Sequence, residues 1–234
     1  MFQAIGQFLA TSWLALLLTA AAAYLLGSVN SAIIFTRLFS HKDIREEGSG
    51  NAGATNVLRS QGKLPALLTT GGDLCKSIVA VLVGGWIMQS LGGDPAYSRE
   101  MYVMFGRYLA GLFCIIGHLY PLYFGFRGGK GVLTTLGMML ILDWKVALLC
   151  LLVFIIVVLI GRMVSLGSVC AAVTLPILTF VFRQFVYHQA SPVVGFCTLM
   201  ATVIAAILVA KHIPNIRRIV KGTESRLSFG KSSK

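Results

Sequence analysis

The feature that most restricts this chain is the recurrence of apolar stretches of about 20 residues, the length a helix needs to cross a hydrocarbon core of roughly 30 Å. Residues 8–26, 64–91, 108–126, 163–182 and 190–210 are such stretches. The second is interrupted near its start by Asp73 and Lys76, and the third carries His118. Two weaker pieces, 131–142 and 146–161, are separated by Asp143-Trp144-Lys145. The first of these has 12 uncharged residues. At a rise of about 1.5 Å each it falls short of a full crossing unless 128–130 extends it. The pair reads as two spans or as a re-entrant hairpin. The number of crossings is odd in both cases, seven or five, and seven is the expectation: an all-α integral membrane protein, one polytopic domain over 1–234.

Composition agrees with a membrane chain. Hydrophobic residues make up 56%, charged residues 12%, and mean hydropathy is +0.82. A soluble domain carries about 25% charged residues, so an ordinary soluble globule is excluded, and so is a disordered chain. Residues 1–36 hold no charge and the first basic residue is Arg37. A secretory signal needs a basic segment ahead of its apolar core, so Ala20-Ala21-Ala22-Ala23 is read as part of a retained helix and not as a cleavage site. The cysteines Cys75, Cys114, Cys150, Cys170 and Cys197 are odd in number and form no CxxC. Buried free thiols are expected, and neither a disulfide framework nor a zinc site.

The net charge of +12 orients the chain. With the N-terminus outside, the inner segments 37–63, 127–130, 162 and 211–234 hold 15 of the 20 Lys and Arg. The outer loops hold four, and Lys76 lies within a span. Positive charge collects on the cytoplasmic side, which predicts N-terminus outside and C-terminus cytoplasmic.

Those inner segments have unusual chemistry. The first contains Gly48-Ser49-Gly50-Asn51-Ala52-Gly53-Ala54-Thr55-Asn56, bracketed by Arg45 and Arg59. Small residues let backbone N–H groups line a concave anion nest, and Ser, Thr and Asn add donors. Arg45 and Arg59 offer charge and bidentate phosphate contacts. The same composition also suits a turn-rich surface loop with Asn and Gly in left-handed positions. No GKS or GKT follows, so it is not a Walker A loop. The second segment, Gly128-Gly129-Lys130-Gly131, places a lysine among glycines at a helix start, a site for an anion or a tight interfacial turn. Ser28 and Asn30, at the inner end of the first span, suit interhelical hydrogen bonds or a substrate site. Asp73 and Lys76 share a helix face and read as a structural ion pair or a site-lining one. His118 reads as a hydrogen-bonded core residue or a reactive one. His212 and Asn215 are three apart, beside Arg217, Arg218 and Lys221. They read as part of an orienting, lipid-touching cluster or as residues facing one cavity.

Under one topology these groups meet on one membrane face, with apolar helices to hold a lipid tail. The reading is a site for phosphate plus an acyl chain, with no metal, since few acidic residues (Glu46, Glu47, Asp73 and Glu224) lie near that face. A transporter of a phosphorylated solute needs a polar path through the midplane, and a scaffold needs no glycine-rich loops. Nucleic acid is not an expected partner.

The motifs as a set resemble the PlsY family of bacterial acyl-phosphate:glycerol-3-phosphate acyltransferases. The matching runs are Ala23-Tyr24-Leu25-Leu26-Gly27-Ser28-Val29-Asn30, Gly48 to Arg59, and Asp73-Leu74-Cys75-Lys76. Further runs are Gly117-His118-Leu119-Tyr120-Pro121 with Phe124 and Gly128-Gly129-Lys130-Gly131-Val132, then Val164-Ser165-Leu166, and His212-Ile213-Pro214-Asn215-Ile216 with Gly222 and Glu224. Cys75 and Arg127 are minor departures. The resemblance implies seven transmembrane helices in the bacterial inner membrane with the active site facing the cytoplasm. It implies acyl transfer from acyl phosphate to the sn-1 hydroxyl of glycerol 3-phosphate, with neither acyl-CoA nor acyl carrier protein as donor and without a cofactor. A soluble enzyme supplying acyl phosphate and membrane lipid are the implied partners. By motif position, Ser49, Gly50, Asn51, Gly53, Thr55 and Asn56 bind substrate phosphate together with Gly128 and Gly129. Ser28 and Asn30 lie close by, and Lys130, His212, Asn215 and Arg45 act on the substrates. The HxxxxD pair of acyl-CoA-dependent glycerol acyltransferases is absent: Glu46, Tyr123, Val193 and Arg217 follow the four histidines at that spacing. A substrate phosphate oxygen or His212 is left to take the hydroxyl proton.

Overall fold

Each apolar stretch contributes a helix in the computed structural model, which describes residues 2–94 and 96–227. Lys231 and Lys234, counted above on the inner side, lie outside the described residues. The chain divides into two compact units, Met1–Leu142 and Asp143–Lys234.

Among the described residues, the first unit contains six α-helices: α1 (Phe2–Ser28), α2 (Ser31–Ser40), α3 (Ala54–Gln61), α4 (Lys63–Leu91), α5 (Arg99–Leu119) and α6 (Val132–Leu142). Helices α1, α4 and α5 pack on one another, and α6 lies against α4 and α5. Small residues permit the close approach that packing in lipid requires. A Cβ on Gly27 would sit 2.2 Å from Cys114 O, and one on Gly117 would sit 2.3 Å from Tyr24 O. Gly84 and Gly106 meet in the same way between α4 and α5. On α6, a Cβ at Gly137 would collide with Ser77 Oγ at 2.2 Å.

Helix ends differ from the apolar limits in an instructive way. Helix α5 begins at Arg99, nine residues before the uncharged stretch, because Ser98 Oγ accepts the Met101 N–H at 3.4 Å and caps it. It stops at Leu119, since Pro121 has no N–H with which to continue the ladder. Hydropathy marks the solvent, whereas capping marks the helix.

The second unit contains α7 (Trp144–Gly161), α8 (Val164–Val181), α9 (Ser191–Lys211) and α10 (Ile213–Val220). A π-helical turn, Phe182–Val186, extends α8. Asp143 caps α7 by accepting the Val146 N–H at 3.3 Å, and it accepts the Tyr187 hydroxyl at 3.0 Å. Helix α8 packs on both α7 and α9.

Among the described residues, six helical segments are long and apolar enough to cross a membrane. The expected fourth span is the 11-residue α6, about 16 Å long. Leu159 and Ile160 on α7, 61% and 81% exposed, face outward as lipid-facing side chains do. The chain is an all-helical integral membrane protein. The five thiols are free; Cys114 and Cys197 are buried as expected, but Cys75 is exposed on α4. An apolar position on a membrane helix faces lipid as readily as the core.

Candidate active site

The loop before α3 is built around one amide. Asn56 is 2% exposed. Its Oδ1 accepts the Ser49 N–H at 2.9 Å, and its Nδ2 donates to the carbonyls of Ile44 at 3.1 Å and Glu47 at 2.9 Å. Gly48 and Gly50 take left-handed conformations, with φ of 56° and 71°, which let the backbone reverse around that amide. Asn56, named from sequence as a phosphate ligand, thus braces the loop. Ser49 and Gly50 are exposed, and Asn51, Gly53 and Thr55 are half-buried.

Arg45 is engaged within the protein. Its Nε and Nη2 donate to the two oxygens of Asp43 at 2.9 and 2.7 Å. Its Nη1 donates to Phe124 O at 2.6 Å and Arg127 O at 3.3 Å. The guanidinium straps the first glycine-rich loop to the segment leading into the second. The Arg45 hydrogen bond holds the Asp43 carboxyl well below the usual carboxylate range, against the opposing effect of partial burial. The same bond raises the pKa of Arg45. A cleft of about 460 Å³ borders this strap, lined by Arg37, Glu46, Tyr123 and Arg127 among others. Arg59, in the last turn of α3, is exposed and makes no ion pair or hydrogen bond among the described residues. Its guanidinium is the open one of the two that bracket the loop.

The second loop folds back on the end of α5. The Gly128 and Gly129 N–H groups donate to Leu119 O and His118 O, both at 3.2 Å. Gly131 has φ of 85°, a left-handed turn into α6. Lys130 is half-buried. Beneath it, Lys76 Nζ donates to Val29 O at 2.8 Å and to His118 Nδ1 at 2.9 Å. Asp73 Oδ1 stands 2.9 Å from the same ammonium, an ion pair rather than a directed hydrogen bond. Ser28 donates to Tyr24 O at 2.8 Å. Asn30 Oδ1 caps α2 through the Ile33 N–H at 3.1 Å, while its buried Nδ2 has no partner among the described residues. The first unit therefore brings together Ser28, Asn30 and His118 at the ends of α1, α2 and α5, and joins both glycine-rich loops.

In the second unit His212 and Asn215 are buried where α9 passes into α10. His212 Nδ1 lies 2.8 Å from Leu208 O. Asn215 Nδ2 donates to Glu224 Oε1 at 2.7 Å, and so does Ser165 Oγ at 2.7 Å. Arg218 Nε donates to Glu224 Oε2 at 2.7 Å. Burial alone would raise the Glu224 carboxyl. The bonds from Ser165, Asn215 and Arg218 outweigh it and hold the group below its ordinary value. Ser165 and Glu224 carried no assigned role in the sequence reading, although both lie in its motif runs. A separation of 59 residues hides their contact.

Known proteins place this architecture. The sequence profile of the family described as glycerol-3-phosphate acyltransferase matches residues 17–222. The chain belongs to the glycerol-3-phosphate acyltransferase family. A family member of that name from Clostridioides difficile (strain 630) is 38% identical over 211 residues, covering 90% of this chain and 95% of the relative. Another, from Aromatoleum aromaticum, is 42% identical over 216 residues, covering 92% and 98%. The crystal structure of PlsY (YgiH), an integral membrane glycerol 3-phosphate acyltransferase, in its glycerol 3-phosphate form matches with a TM-score of 0.73 and 35% identity, over 91% of this chain and 96% of that one. Its lysophosphatidic acid form matches with a TM-score of 0.71. The motif resemblance read from the sequence is thus a family relationship over nearly the whole chain.

Proposed function

We propose that this family member transfers an acyl group from acyl phosphate to the sn-1 hydroxyl of glycerol 3-phosphate, the first acylation of phospholipid synthesis. The hydroxyl oxygen attacks the acyl carbonyl carbon, the carbon–oxygen bond to phosphate breaks, and lysophosphatidic acid and inorganic phosphate leave. The hydroxyl proton goes to a phosphate oxygen, with His212 as the alternative acceptor. The mixed anhydride is already activated. The protein therefore has mainly to bring two anions together and stabilise the developing oxyanion.

The observation that carries this reading is the strapping of two glycine-rich loops by Arg45. Ser49, Asn51 and Thr55 offer side-chain donors on one side and Lys130 its ammonium on the other, while Gly50, Gly53, Gly128 and Gly129, whose N–H groups bond within the protein, shape the backbone that carries them. Asn56 and Arg45 shape the cradle, Arg59 and Lys130 give it charge, and Ser28 and Asn30 lie at its floor. By motif position Asn215 is a further residue that acts on substrate. The 15-to-4 division of basic residues supports an N-terminus outside, a cytoplasmic C-terminus and loops facing the cytoplasm of a bacterial inner membrane. A soluble acyl-phosphate-producing enzyme on that side would supply the donor.

The test is phosphate release by the purified protein in detergent. Release is expected only with acyl phosphate and glycerol 3-phosphate together, and neither acyl-CoA nor acyl carrier protein should replace the donor. Solute uptake in liposomes without phosphate release would make the protein a transporter.

A further inference from the structure

Beneath the two loops lies a buried polar cluster that the transfer itself does not use. The side chains of Lys76, Asp73 and His118 are 6%, 2% and 4% exposed. Ionisable groups are costly within a span and are kept where they hold or do something. An ammonium has only donors, so its 2.9 Å contact makes His118 Nδ1 the acceptor and puts the imidazole proton on Nε2.

That ring borders the second glycine-rich loop. A Cβ on Gly129 would sit 2.3 Å from His118 Nε2 and 2.6 Å from Ala52 O, the latter in the first loop. A Cβ on Gly128 would sit 2.0 Å from His118 O, and the Gly129 N–H donates to that same oxygen. His118 therefore meets the loop through both backbone and ring. Its ring is oriented by Lys76, whose other hydrogen bond goes to Val29 O, between Ser28 and Asn30. One ammonium connects the floor of the cradle to its glycine-rich wall.

We propose that Lys76 and His118 are positioning residues for Gly128, Gly129 and Lys130. Lys76 fixes the His118 ring against Gly129 and Ala52 and ties it to the Ser28-Val29-Asn30 turn, and neither residue touches substrate. The inference rests on the reading of these loops as the substrate-anion site. A small displacement of an aligned group is costly to rate, so the expected effect is kinetic.

The experiment uses the full chain in detergent. His118→Asn keeps an acceptor near the Nδ1 position for Lys76 and removes the ring edge below Gly129. It is expected to lower kcat/KM for glycerol 3-phosphate on the order of 10²-fold, with the thermal midpoint retained and the shape of the pH–rate profile unchanged. The double variant Asp73→Asn with Lys76→Met removes both charges and strands no buried carboxylate. It should fold and show a comparable loss. Parental kinetics in both variants overturn the inference. So does a pH profile that loses a limb in His118→Asn, which would make His118 a proton-transfer group. A lower yield of folded protein with unchanged kcat and KM also overturns it, leaving only a structural role. Lys130→Ala separates the two levels. Near-normal activity there sinks the loop reading itself, whereas inactive Lys130→Ala beside normal His118→Asn sinks the positioning role alone.

Discussion

The loop around Asn56 and the turn around Glu224 are each held by one side chain through three hydrogen bonds, and the chemistry of the two is opposite. Asn56 is neutral and works in both directions, accepting from Ser49 and donating to Ile44 and Glu47. Glu224 is an anion that only accepts, from Ser165, Asn215 and Arg218. A neutral brace shapes a backbone without altering its potential, whereas an anionic one cancels the cation that it binds. The loop around Asn56 bonds its Ser49, Gly50 and Gly53 N–H groups internally and leaves Arg59 open to an anion. The turn around Glu224 uses Arg218 internally. A count of basic residues along the sequence treats Arg59 and Arg218 alike, and the structure separates them.

The largest effect should follow from removing charge in the loop that Arg45 straps to the one braced by Asn56. Lys130→Ala is expected to lose 10²–10³-fold in turnover while remaining folded, on the order seen when a single oxyanion-stabilising group is removed. Steady-state phosphate release checks this, and near-normal turnover would place the anion site elsewhere. A smaller effect should come from changing the brace itself. Asn56→Asp keeps an acceptor for Ser49 but turns a second oxygen toward the carbonyls of Ile44 and Glu47, and it adds negative charge beneath the cradle. Each unmatched buried group costs about 1–3 kcal/mol. Both Asn56→Asp and Asn56→Ala should lower thermal stability, and the aspartate should raise the KM for glycerol 3-phosphate more. Equal KM values would break the electrostatic side of the comparison.

The smallest effect belongs to the anionic brace. Glu224→Gln keeps an acceptor for Ser165 and Asn215 and loses the charge-assisted bond to the half-exposed Arg218. The cost is about 1 kcal/mol or less after solvent screening. Because the Glu224 carboxyl is held below its ordinary 4.5, its contribution is fully present above that pH and is lost as pH falls through the depressed folded value. The difference in thermal midpoint between parent and Glu224→Gln should therefore shrink on acidification. Asp43, depressed in the same direction, is common to both proteins and cancels in the difference. A gap that persists unchanged into acid would mean that Glu224 acts by packing and not by charge.

Much of this was legible in the sequence, for identifiable reasons. Apolar runs announce membrane helices because lipid admits few alternatives for the backbone, and the shortness of the 131–142 run survives as the 11-residue α6. The glycine-rich loops were legible because left-handed turns restrict residue choice, as at Gly48, Gly50 and Gly131. The start of α5 was not legible from hydropathy, since a serine cap outside the apolar run sets it.

Partnership was the other thing hidden. Apolar run length and local turn chemistry, both written in adjacent residues, give the class of the chain and the neighbourhoods of its polar groups, and the motif runs carry the family resemblance. Packing of the chain decided that Arg45 reaches carbonyls 79 and 82 positions away, and that Lys76 reaches back to Val29 and forward to His118. It likewise decided that Ser165 and Asn215 share Glu224. A buried polar group must find a partner wherever the packed chain presents one, and no spacing rule along the sequence says where that will be.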